Sequence, residues 1–110
     1  MNILLLYGVH CIRMQSAAKE KGHRVRCQVA GDGPLETRSK VRWADMVVAE
    51  GALAENAVGA LYLAFDTKKT VRVLGELVPL WARRYGWRTQ SEEEWLKSLP
   101  MLPEQKELFT

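Results

Sequence analysis

Ala44-Asp45-Met46-Val47-Val48-Ala49-Glu50-Gly51, then an alanine-rich stretch to Thr67, then Val71-Arg72-Val73-Leu74-Gly75, is the passage that decides the fold. An apolar run ending in an acid and a glycine is how a parallel strand delivers a carboxylate to a pocket. In open α/β sheets, ligands sit beyond the carboxyl ends of the strands. Between the two apolar runs, Ala57, Val58, Leu61, Ala64 and Phe65 recur at i, i+1, i+4, i+7 and i+8. That spacing predicts a helix from about Ala54 to Thr67 with one core-facing stripe. Tyr62 and Leu63 fall off the stripe and suggest a homodimer contact through this third helix.

Upstream, Asn2 to Tyr7 is almost continuously apolar, as a strand buried on both faces should be. A loop of Tyr7 to His10 leads to a helix from about Ile12 to Lys21, which Gly22 stops. His23 to Val29 alternates, with Val25, Cys27 and Val29 on one face and Arg24, Arg26 and Gln28 on the other. One wet face predicts an edge strand. Asp32 or Gly33 can cap the next helix, with Pro34 at its first position, and the helix runs to about Trp43. Downstream, a fourth helix is expected over Glu76 to Arg84 and a short strand over Trp87 to Thr89. Ser91-Glu92-Glu93-Glu94 reads as a capping box opening a last helix with Trp95, Leu96 and Leu99 inward.

The alternation of strand and helix predicts an α/β fold, with right-handed crossovers forming a three-layer sandwich. The sheet should hold 4–5 parallel strands in flavodoxin-like order 2-1-3-4-5. The switch point then falls between strands one and three, where the loop Tyr7–Cys11 faces the loop Glu50–Asn56. The 110 residues suit one domain, residues 1–110.

Composition narrows the classes. No run approaches the roughly 18 apolar residues of a membrane span, so no membrane is expected. Met1–Tyr7 lacks a basic leader region and is read as a strand rather than a signal peptide. Two cysteines, Cys11 and Cys27, are too few for a disulfide framework, which points to a reducing cytoplasm. Charge is uneven: residues 1–44 hold eight Lys/Arg against three Asp/Glu, a net +5, whereas residues 45–110 hold eight against ten, a net −2. The basic half suits an anionic ligand, or a solvated surface. Trp81, Arg83, Arg84, Trp87 and Arg88 could stack on bases, but inward tryptophans beside outward arginines give the same pattern. Nucleic acid is therefore the lesser expectation.

The candidate chemistry gathers at the switch point. Glu50, the candidate catalytic residue, could bind a ribose hydroxyl or act as a base; a capping or solvated acid reads the same way. Gly8, His10, Cys11, Gly51, Glu55 and Asn56 are the candidate ligand-binding residues around it. Glu55 also suits a helix start through the dipole alone. Val9-His10-Cys11 is similar to the start of the cysteine phosphatase signature, but Ala17 stands where that signature needs arginine. No metal site is expected: the soft ligands are His10, Cys11, His23 and Cys27, and His23 and Cys27, at i and i+4 on one side of a strand, have no second pair. No cofactor motif is present: there is no GxGxxG and no GxxxxGK[ST].

Ala44–Glu50 with Asn56-Ala57-Val58-Gly59-Ala60-Leu61, and then Lys68-Lys69-Thr70-Val71-Arg72-Val73-Leu74, resembles the nucleoside deoxyribosyltransferase superfamily, in particular its deoxynucleotide N-glycosidase branch. The resemblance spans about residues 40–99. It implies a nucleotide or nucleoside ligand, with Glu50 and Gly59 carried over. It also implies lost chemistry, because Leu61 stands where the family has its catalytic glutamate and Ala60 where it has tyrosine. Glu55 and Ala57 replace the phosphate-binding serine and glycine. N-glycosidase activity should then be weak or absent. A second resemblance, in size and plan, is to the IIB phosphocarrier subunits of sugar phosphotransferase systems. Their phosphorylated cysteine ends strand one, where this chain has Tyr7. The alternative from the residues themselves is a non-catalytic protein-interaction module on a Rossmann-like scaffold.

Overall fold

Four strands, β1 (Asn2–Leu5), β2 (Arg24–Cys27), β3 (Met46–Glu50) and β4 (Thr70–Leu74), run parallel in the order β2-β1-β3-β4. The structure is a computed structural model; it describes residues 1–6, 11–28, 31–50, 58–75 and 89–101, and excludes the side chains of Cys11, Glu50, Val58, Thr89 and Gln90. Four helices are described: α1 (Cys11–Glu20), α2 (Pro34–Trp43), α3 (Val58–Asp66) and α4 (Glu92–Ser98). The segment Thr89–Gln90 adds a two-residue parallel pairing, Val73↔Thr89 and Leu74↔Gln90. The expected helix at Glu76–Arg84 lies outside the described residues, as do Trp81, Arg83, Arg84, Trp87 and Arg88.

The strand order follows from patterning. Leu4, Leu5 and Leu6 are fully buried, as are Val47 and Val48, because both faces of β1 and β3 are covered. On β2, Val25 is buried while Arg24 and Arg26 are exposed, and among the described residues β2 pairs with β1 alone. The expectation of a wet edge strand and two central strands holds. Cys27, on the same face as Val25, is half-buried against the core.

Two cores result. Ile3, Leu5, Met46 and Val48 pack with Met14 and Ala18 of α1 and with Trp95 and Leu99 at α4. Leu4, Leu6, Val47 and Ala49 pack with Val41 of α2 and with Ala60, Leu61 and Ala64 of α3. Alternate strand residues point to opposite faces, so α1 and α4 lie on one side of the sheet and α2 and α3 on the other.

Local signals set the helix ends. Gly22 adopts φ 92°, the left-handed turn after α1 that glycine takes without a steric cost. Gly33 is the N-cap of α2, with Pro34 in its first turn and no side-chain cap. Ser91 caps α4, its Oγ accepting from the Glu94 N–H at 3.1 Å.

The stripe on α3 is rotated from its predicted position. Leu61 and Ala64 are buried as expected, but Phe65 is 43% exposed, and Ala60 is buried in its place. Leu63, expected off the core face, is partly buried against the core. The physical reason is residue size. The flank carrying Ala60 and Ala64 lets α3 sit close to the sheet and to α2, whereas turning Phe65 inward would hold the helix off.

Candidate functional site

The carboxyl edge of the sheet is where the strand order places a crevice. The Leu6 N–H donates to the Val48 carbonyl at 2.9 Å, and Leu5 is in register with Val48, so β1 and β3 end side by side. The chain leaves β1 for α1 on one side of the sheet and leaves β3 for α3 on the other. In open α/β sheets, a switch point of this kind is the usual ligand position.

Glu50 is the last residue of β3, its backbone in register with Leu74 of β4. This puts its Cα at the carboxyl edge, as the sequence predicts. Cys11 is the first residue of α1. The side chains of both lie outside the described residues, as do Gly8, His10, Gly51, Glu55 and Asn56 entirely.

Beside this edge, on the α2/α3 side, lies a cleft of about 430 Å³. Small-molecule sites commonly span roughly 300–1,000 Å³. One wall is polar: Gln28, just after β2, with Thr37 and Arg38 of α2. The other is small and apolar: Gly59, Ala60 and Leu63 of α3. The Gln28 side-chain amide donates to the Thr37 hydroxyl at 3.2 Å. Asp32 also lines the cleft, and its carboxylate is bound by the Lys40 ammonium at 2.5 Å. Lys40 donates in addition to the Cys27 carbonyl at 2.8 Å, which ties α2 to the end of β2. Arg38 is exposed and has no hydrogen-bond or ion-pair partner among the described residues.

Apart from Gly59, which the family resemblance carries over, none of these cleft residues was a sequence candidate. Gly31-Asp32-Gly33 reads as a turn, and its acid as a helix cap. In the structure Asp32 does not cap α2 but pairs with Lys40, eight residues on. The signal was the basic run Arg38–Arg42 shortly after two acids, Asp32 and Glu36. Its partner choice depends on how α2 docks on β2, which periodicity does not encode.

The opposite, amino end of the sheet carries another polar cluster. His23 is 3% exposed. Its Nδ1 lies 3.0 Å from the Met1 amino group and its Nε2 lies 2.7 Å from the Pro100 carbonyl. An ammonium can only donate and a carbonyl can only accept, so the ring is neutral with its proton on Nε2. Burial lowers its pKa below the usual histidine value, against the raising effect of the Pro100 bond; the nearby amino terminus and Lys21 lower it further. Lys21 donates to the carbonyls of Leu96 and Leu99, holding the end of α4. This cluster fastens chain segments together and is remote from the carboxyl edge.

On the outer flank, the Arg26 guanidinium stacks over Trp43 at 4.5 Å. Among the described residues, no group of three or more His, Cys, Asp and Glu is placed to hold a metal ion. No described helix is long and apolar enough to cross a membrane. Comparison of the chain with protein-family models, with curated proteins and with solved structures gave no match.

Proposed function

We propose that this protein binds a nucleotide or nucleoside at the carboxyl edge of a doubly wound, three-layer sandwich. In this reading Thr89–Gln90 belongs to a fifth strand that completes the order 2-1-3-4-5. Glu50, Gly51, Glu55 and Asn56 face Gly8, His10 and Cys11 across the switch point. The observation that supports it is the pairing of β1 with β3, with α1 and α3 departing to opposite sides of the sheet. Such a crevice is the usual ligand position in open α/β sheets. The resemblance to deoxyribosyltransferases supplies the ligand class and, for Glu50, contact with ribose hydroxyls.

Catalysis of N-glycosidic cleavage is weak or absent. Leu61 stands where the resemblance puts the nucleophilic carboxylate, and it is fully buried in the core beside Ala60 and Ala64. A buried leucine can neither attack a sugar carbon nor be replaced without repacking. Calorimetric titration with nucleotides tests the reading: binding is expected, and Glu50→Gln should weaken it, because a neutral amide is a poorer acceptor than a carboxylate. Release of free base at ordinary enzyme rates would contradict the loss of chemistry.

A second reading, a non-catalytic interaction module, is favoured by one observation: Tyr62 and Phe65 are 38% and 43% exposed on the same side of α3. A concentration-dependent dimer in sedimentation, abolished by Tyr62→Ser with Phe65→Ser, is the result that reading requires.

A further inference from the structure

We propose that the outer edge of the sheet, β2 with the exposed flank of α2, docks an extended acidic segment of another protein, which adds a strand beside β2. This edge is away from the switch point and its role does not depend on the nucleotide reading.

The direction of the backbone groups opens the edge. In the parallel ladder with β1, the Arg24 N–H donates to the Met1 carbonyl at 3.1 Å and the Gln28 N–H to the Leu5 carbonyl at 2.9 Å. Successive residues of a strand point their backbone groups to opposite sides, so those of Arg24, Arg26 and Gln28 face β1 and those of Val25 and Cys27 face outward. The Cys27 carbonyl accepts there from the Lys40 ammonium at 2.8 Å. The Val25 N–H and C=O have no partner among the described residues. Val25 turns its side chain into the core with Met14 and Ala18 of α1, so what it leaves at the edge is one donor and one acceptor. Such an edge is a template for a further strand.

Side chains choose the partner. Arg24 and Arg26 are exposed on the face opposite the Val25 side chain and form no ion pair among the described residues. Arg26 is held over the Trp43 ring at 4.5 Å, a contact that positions its guanidinium and leaves N–H donors for a carboxylate. Beside it an open groove of about 340 Å³ is lined by Arg26, Leu35, Glu36, Ser39 and Lys40. Leu35 is 76% exposed and offers a passing chain an apolar contact.

The flank is positive on balance. Arg42 follows Leu35 and Ser39 at i+7 on one helix face, so Arg24, Arg26, Lys40 and Arg42 stand against Asp32 and Glu36, a net +2. Of the two acids, Asp32 is engaged by Lys40. Glu36 sits in the first turn of α2, its Oε2 2.9 Å from where a Gly33 Cβ would lie, so its charge serves the positive end of that helix. Asp45, just before β3 and so two strands in from the edge, accepts from the Asn2 N–H at 2.8 Å. On the α1 side, Lys19 and Lys21 outnumber Glu20.

These groups select against a second copy of the chain. Two β2 strands laid antiparallel about Val25 would set Arg24 of each opposite Arg26 of the other, and like charges directly opposite destabilise a strand pair. An acidic strand places carboxylates against both arginines instead. A nucleic acid would meet the same charge but has no peptide backbone to continue the ladder.

Fluorescence anisotropy with a labelled peptide of about eight residues, in which Glu alternates with Thr, tests the proposal at about 0.15 M salt. Its companions are the same peptide with Lys for Glu, two versions N-methylated at alternate backbone positions in opposite phase, and a labelled oligothymidylate. Amide hydrogen exchange follows Val25, and melting curves confirm that Arg24→Glu combined with Arg26→Glu is folded. The Glu peptide should bind more tightly than the Lys peptide and slow exchange at Val25. The double variant should weaken it at least about ten-fold and gain affinity for the Lys peptide. One phase of N-methylation should abolish binding and the other spare it, because only alternate amides of an added strand face β2. Equal binding of both N-methylated peptides, or tighter binding of the oligothymidylate without protection of Val25, would make the flank a general polyanion surface and overturn the proposal. Protection of Val25 that rises with protein concentration in the absence of peptide would assign the edge to a second copy and overturn it too. A Glu peptide that does not bind has the same consequence.

Discussion

The two faces of the sheet are built from different materials. The α1/α4 face is filled by large side chains: Met14, Trp95 and Leu99 against Ile3, Leu5 and Met46. Trp95 is fully buried and its indole N–H donates to the Met46 sulfur at 3.3 Å. The α2/α3 face is filled by Ala44, Ala49, Ala60 and Ala64 together with valines and leucines. Small residues bring helices near the sheet at their contact points but leave less side chain to fill the space beyond. The cleft of about 430 Å³ lies on that second face, between α2 and α3. The comparison teaches that large side chains fill one face completely, whereas small ones on the other face leave an open cleft beside them.

The sharpest way to break this contrast is to hollow the filled face. Trp95→Ala removes the largest fully buried side chain among the described residues and should cost about 3–5 kcal/mol of stability in denaturant unfolding. A loss below about 1 kcal/mol would mean that α4 is an ornament and not a support.

On the other face, Leu61→Ala should cost about 2–5 kcal/mol, toward the lower end if neighbouring alanines let the helix settle into the void. The same unfolding curve measures it. Substituting Leu61 by Glu should unfold the protein rather than restore glycosidase chemistry, because an isolated buried carboxylate is costly.

A pH-dependent effect belongs to the α1/α4 side. His23 has a folded pKa below its unfolded value of about 6.5. The unfolded chain therefore binds the proton more readily, and stability rises with pH across this window. As pH falls below about 6.5, stability should decline, until the folded-state histidine is itself protonated. Protonation would remove the Nδ1 acceptor from the Met1 amino group and set a further positive charge beside Lys21. His23→Gln should remove this component when midpoints at pH 7.5 and 5.5 are compared. An unchanged slope would place the pH response elsewhere.

The smallest effect has the opposite sign. Gly59 lies exposed in α3 with open space around its Cβ direction, so Gly59→Ala should stabilise by about 0.5–1 kcal/mol. A destabilising result would mean that the backbone there is closely approached, contrary to an open cleft.

How much was legible in the sequence depends on the kind of signal. Period-two alternation at Arg24–Cys27 and unbroken apolar runs at Ile3–Leu6 and Met46–Ala49 placed β2 at the edge and β1 and β3 inside. These signals are local, and burial on one face or two follows directly from them. The Ser91 cap and the Gly22 turn were legible for the same reason: each is set by the geometry of one residue and its near neighbours. The rotation of α3 was not. Ala60 and Phe65 are both apolar, and periodicity alone cannot say which of them the sheet will accept.

Residue type and spacing thus determined the strand order and the edge at which Glu50 ends its strand. Only tertiary structure decided that Asp32 is taken by Lys40, that His23 is a buried neutral fastener and that Gln28, Thr37 and Arg38 meet Gly59 across a cleft. The reason is separation along the chain. Gly59 stands 21 positions beyond Arg38, and Pro100 stands 77 beyond His23. Contacts at such distances are fixed by how whole helices dock, and docking depends on side-chain volume at every point of contact, which no local pattern records.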